Sequence, residues 1–111
     1  MVFANRRLTL SEAGGDTNVE IEIHAPTETP DKSWCCRYTI GWPRESIERE
    51  VFGFDAVQAL VLALQMIGFD IYRSDYHEAG KLAWGKPGEG YGFPVNAAYR
   101  DWLIGDDAKY L

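Results

Sequence analysis

The feature that most constrains this chain is a change of hydrophobic period at Asp55. Before it, apolar residues recur at every second position; after it, they recur three and four positions apart. A period of two sends alternate side chains to opposite faces of a strand, and a period of 3.6 stripes one side of a helix. The order is therefore a β-rich first half, then one helical segment.

Residues 19–25 carry the strand pattern most cleanly. Val19, Ile21, Ile23 and Ala25 face one way, and Glu20, Glu22 and His24 the other. An antiparallel sheet allows one buried face and one wet face. Residues 6–10 alternate with Leu8 and Leu10 on one face. Residues 34–42 alternate with Trp34, Cys36, Tyr38, Ile40 and Trp42 together, opposite Cys35, Arg37 and Thr39. Residues 47–54 are less regular. Ile47 and Val51 share a face with Arg49, and the apolar side switches near Phe52, so Gly53 predicts a bulge. Turn residues separate the runs: Gly14-Gly15-Asp16, then Pro26 and Pro30, then Pro43. Such short connections predict an antiparallel meander, because parallel neighbours need long crossovers.

Asp55 predicts an N-cap that accepts backbone N–H bonds, with Gln58 placed to reach back. Residues 56–73 are rich in helix formers, and Val57, Leu60, Val61, Leu64, Ile67 and Ile71 make the stripe expected to pack across the sheet. Leu62 and Phe69 fall on the other side, with Gln58 and Gln65. Packing by one face would leave those two wet. That side is expected to be covered by the C-terminal segment or by a second subunit. Beyond the helix, residues 75–80 are polar and 81–84 predict a short strand. Residues 85–94 form a Gly/Pro loop, its glycines supplying positive φ, and 96–104 predict a short helix before a turn at Gly105-Asp106-Asp107. The expected architecture is one α+β domain over residues 1–111: an antiparallel sheet of about four strands, one long helix across a face, and an aromatic-rich C-terminal segment.

Charge and cysteine content exclude several functions. Seventeen acids against eleven bases give a net charge of -6, spread as -3 in each half of the chain. That argues against nucleic acid, whose phosphates reward a basic face, and reads as a solubilising coat. The apolar run of the helix is interrupted by Gln58, Gln65 and Asp70 and is too short for a bilayer. The N-terminal residues lack the apolar core of a signal peptide, so a cytoplasmic location is expected. Cys35 and Cys36 are adjacent and point to opposite faces of a strand, so the expectation is one buried and one exposed thiol. No Cys-x-x-C or thiolate metal motif is present.

Candidate chemistry is sparse. His24 with Glu20 and Glu22 shares a strand face, as a metal site would need, but a solvated face explains the same residues, and no metal or other cofactor is expected. A Cys/His enzyme would need His24 or His77 beside a thiol or carboxylate. Asp106-Asp107 and the pair Glu48 and Glu50 read as solvated surface charge. The glycines at 85, 88, 90 and 92 match neither a P-loop nor a dinucleotide loop. Aromatics are the stronger hint. Trp84, Tyr91, Phe93, Tyr99 and Trp102 lie in a loop-rich segment and serve either as core or as a ligand surface. Arg37 is expected to pair with a carboxylate across strands.

Several stretches together resemble a family of small bacterial domains of unknown function. They are Arg6-Arg7-Leu8; the extended segment with Cys36, Tyr38, Ile40 and Gly41; Gly53-Phe54-Asp55 with Gln58-Ala59-Leu60 at the helix start; and Leu82 with Trp84. The resemblance covers residues 5–94 and implies no assigned activity, so it transfers no catalytic residue. The leading expectation is a non-enzymatic module that binds another protein or associates with itself, as a homodimer through Leu62 and Phe69 on the helix. The alternative is a small-ligand site built from Trp84, Tyr91 and Phe93 with Arg37 or Lys86; a Cys/His enzyme stands third.

Overall fold

The computed structural model describes all 111 residues. Four long strands run in chain order as an antiparallel meander: β1 (Val2–Glu12), β2 (Gly15–His24), β4 (Trp34–Gly41) and β5 (Ser46–Gly53). Two short strands raise the count to six. β3 (Thr27–Glu28) continues β2 along the same edge of β4, one residue out of register, beyond the interruption at Pro26. The second, β6 (Leu82–Ala83), adds to β1 at Thr9 and Leu10. β5 is a free edge, hydrogen-bonded to β4 alone.

Alternation decides which face is buried. Leu8, Leu10, Val19, Ile21, Ile23, Cys36, Tyr38 and Ile40 form the inner face. The registers Leu8↔Val19, Ile23↔Tyr38 and Ile21↔Ile40 place them side by side. Arg7, Glu20, Glu22, Arg37 and Glu48 occupy the outer face, which no helix covers. The elements after the sheet close the inner face: α1 (Ala56–Tyr72), α2 (Asp75–Glu78), the loop 85–95, a 3-10 turn (Ala97–Trp102) and α3 (Gly105–Tyr110).

α1 begins as its residues dictate. Asp55 accepts the Gln58 N–H at 2.8 Å, and the Gln58 side chain accepts the Phe54 N–H at 2.6 Å. The face it buries differs from the apolar stripe. Ala59, Ala63, Ile67, Asp70 and Ile71 are buried, whereas Val57 and Val61 lie in solvent. At 100° per residue the packed face is rotated by roughly a quarter turn. The physical reason is steric. Tyr38 and Ile40 already fill the space above β4, so the helix approaches through alanines.

Gly53 is likewise not a bulge. The β4–β5 register runs without a break from Trp34↔Gly53 to Gly41↔Ser46. A Cβ at Gly53 would stand 2.5 Å from the Ala59 backbone nitrogen. The glycine lets the strand end pass under the first turn of the helix.

Candidate functional site

Two constructions determine what the surface can offer. The first is polar and buried. Asp70, 6% exposed on the inner face of α1, accepts Arg49 Nε at 2.8 Å and Nη2 at 2.9 Å, together with the Tyr38 hydroxyl. Burial and the neighbouring Asp70 carboxylate push the Tyr38 phenol well above its ordinary range. This bidentate pair ties β5 to the helix.

Asp107, from α3, is 2% exposed. It accepts the Tyr72 hydroxyl at 2.5 Å and the Tyr91 and Gly92 N–H groups at 2.8 and 2.7 Å. The expectation of a solvated Asp106-Asp107 turn is therefore corrected for Asp107: its donors come from loop backbone and from a helix distant in sequence. Gly92, at φ +75°, is held close enough for Arg6 to donate to its carbonyl and to that of Tyr91, both at 3.1 Å. The guanidinium of Arg6 also lies 3.8 Å from the Trp84 ring centroid.

These contacts settle the places of the aromatics. Tyr91 and Phe93 are core side chains and leave the ligand surface expected for them. The cause is the pinned backbone on either side of Gly92. Trp84 stays partly exposed and lines an open groove of about 680 Å³ with Lys86, Lys109 and Tyr110. Arg37 is remote from that groove. It stands on the outer sheet face, 4.0 Å from Glu48 and 3.4 Å from His24 Nδ1. Of the expected ligand set, only Trp84 and Lys86 meet.

Both cysteines are buried and free, correcting the expectation of one exposed thiol. Cys36 lies in the core, and Cys35 is covered on the far face, its Sγ 3.7 Å from Glu50 Oε2. Burial, chiefly, pushes both thiols up, away from the reactive thiolate. Neither imidazole is hydrogen-bonded to a thiol or carboxylate; the Cys36 thiol donates to the His24 backbone carbonyl at 3.5 Å, and the His24 ring faces Arg37. His77 Nδ1 lies 2.5 Å from the Tyr91 hydroxyl, whose pKa burial pushes up to about 12. No group of three or more His, Cys, Asp or Glu side chains is placed to hold a metal ion.

The second construction is apolar and exposed. Beside the free edge of β5, Val51 meets Leu62, Gln65, Met66 and Phe69 of α1 and Asn96 and Tyr99 of the C-terminal segment around a pocket of about 360 Å³. Phe69 stacks on Trp102 and packs against Tyr99, with ring centroids 5.6 and 5.1 Å apart. The C-terminal segment therefore covers the back of the helix at Phe69, as one of the two expectations had it. At Leu62 the helix remains partly exposed. Other large apolar side chains lie in solvent near the helix start, Val61, Val57 at 70% exposure and Phe54 at 89%, while Phe52 stands on the outer side of β5 with Glu48 and Glu50. Leu62 and Phe69 were legible as a back-of-helix pair. Val51 and Met66 were missed, and Tyr99 was legible only as one of the C-terminal aromatics, because the pocket joins elements that only the fold brings together.

A family profile described as a domain of unknown function, DUF6968, matches residues 4–95. The chain belongs to the DUF6968 family. The match spans the sheet, α1 and the pinned loop through Val95, in keeping with the resemblance seen over residues 5–94. The 3-10 turn and α3, which supply Tyr99 and Asp107, lie outside the DUF6968 match. No curated protein and no solved structure matches this DUF6968 chain. No helix in it is long and apolar enough to cross a membrane.

Proposed function

We propose that this DUF6968 domain is a non-enzymatic interaction module that binds another protein through the β5–α1 surface. One observation carries the reading. The apolar pocket at Val51, Leu62, Met66 and Phe69 opens beside an unpaired strand edge. Exposed apolar surface of this kind marks contact sites more often than accident. The burial of both thiols and the uncharged Tyr91 hydroxyl at the His77 ring support the non-enzymatic part.

The test is a photo-crosslinking amino acid placed at Leu62 and, as a control, at Asn18 on β2, away from this surface. In cells of the source organism a discrete crosslinked species is expected from position 62 and none from 18. It should disappear when Val51→Asp is added. Absence of any species at 62, or equal yields at both positions, removes the reading.

The groove at Trp84, with Lys86 and Lys109, supports a second reading as a small-ligand site. Loss of its shallow, open shape on ligand addition would be seen as protection of Trp84 fluorescence from quenching.

A further inference from the structure

Resting on the interaction reading above, we propose that the β5–α1 surface takes an extended basic segment of another protein, added to β5 as a further strand. β5 has eight residues, none of them buried, and one side of its backbone pairs with nothing. Natural edges are blunted by proline, a bulge, or charged side chains, lysine and inward-pointing charges above all. On β5 the charges are Arg49 and the outer Glu48 and Glu50, which repel an acidic strand and admit a basic one. β5 contains no proline, its register with β4 is unbroken, and its one cation, Arg49, is engaged by Asp70. Its backbone is thus open to strand addition, the mode in which main-chain bonds give affinity and alternate pockets give specificity.

The two faces of β5 specify the occupant. On the helix side stand Ile47, Arg49 and Val51, and the pocket lined by Leu62, Met66 and Phe69 opens at Val51. Directly opposed residues of neighbouring strands share a face. An added strand therefore places an apolar side chain beside Val51 and over that pocket. On the outer side stand Glu48 and Glu50. Glu48 has only a long contact with Arg37, at 4.0 Å, and Glu50 has no ion-pair partner. Residues of the added strand opposite these two face carboxylates, so Lys or Arg is favoured there. The net charge of -6 brings such a segment in from a distance.

The same carboxylates disfavour a second copy of this chain. Two β5 strands paired about a two-fold axis and centred on Arg49 set Glu48 opposite its copy's Glu50. Centred on Glu50, they set that residue opposite itself. Like charges directly opposed across strands are destabilising.

The experiment titrates isotope-labelled protein with two synthetic peptides of eight residues, the length of β5. One alternates lysine and valine, the other glutamate and valine. The lysine peptide is expected to bind about tenfold tighter at low salt. Its amide shifts should fall on β5 and on α1 around Leu62. Glu48→Lys with Glu50→Lys should reverse the preference, and Leu62→Asp should weaken both peptides. Equal affinities, no binding of either, or shifts elsewhere overturn the proposal. A wild-type dimer in sedimentation that Leu62→Asp dissolves also overturns it, with the crosslink at position 62 then joining two copies. In that case the interaction reading survives while its basic occupant does not.

Discussion

At the scale of single residues, the buried carboxylates carry the most consequence. Asp107 satisfies one hydroxyl and two backbone N–H groups, of which those of Tyr72 and Tyr91 are buried. Asp107→Ala leaves all three unpaired and is expected to cost about 3 kcal/mol, read from the urea midpoint. Asp106→Ala, one position away in solvent, should change stability by less than about 0.5 kcal/mol. His77 predicts a pH dependence. Burial lowers its imidazole below the ordinary value of 6.5. Well above that value the ring is neutral, folded or unfolded, and adds no pH dependence. As the pH falls through 6.5, the unfolded chain takes up the proton first, so stability drops until the folded value is passed. Melting temperature should decline from pH 7 toward pH 5, and His77→Gln should reduce that slope. An unchanged slope in the variant would show that burial of His77 contributes nothing.

At the scale of elements, the contrast between the two faces of α1 is the sharpest prediction. Ala63 is buried against the sheet, while Val61, two positions away, is exposed. Ala63→Leu should destabilise by about 1–3 kcal/mol, because the helix must lift. Val61→Ser should cost less than about 0.5 kcal/mol. The apolar stripe in the sequence predicts the reverse order, so chemical denaturation of the two variants separates the two faces. Gly53→Ala, which sets a Cβ against the Ala59 backbone, is expected to cost about 1–3 kcal/mol by strain. The strands were legible in the sequence because a period of two leaves two options for each strand. Val19, Ile21 and Ile23 could only go in together. The helix face was not legible, since an apolar residue on a helix reports affinity for a core without reporting where that core is. Ala59 and Ala63 look neutral until the space above Tyr38 is known.

At the scale of the whole molecule, the C-terminal segment is a structural part of the core. Phe69 is covered by Tyr99 and Trp102, Leu103 is buried, and Asp107 pins the loop of Tyr91 and Gly92. A chain ending at Val95 keeps the whole DUF6968 match yet loses these contacts. It is expected to lose cooperative thermal unfolding and to bind a hydrophobic dye. A sharp melt near that of the full chain would overturn this account of the segment. None of this was visible in residues 96–111 alone, because their partners lie in α1 and in the loop before them.

The sequence by itself determined the local features: the strand faces, the meander, the place of the helix and the Asp55–Gln58 cap. Each depends on neighbours within a few residues, where covalent geometry fixes direction. Only the tertiary structure decided which side of α1 is buried, that Asp70 and Asp107 are core residues, and that Val51 meets Leu62 and Phe69 at a free edge. Those outcomes depend on which surfaces meet after folding. A carboxylate is written identically in the sequence whether its partners are waters or the backbone of a distant loop.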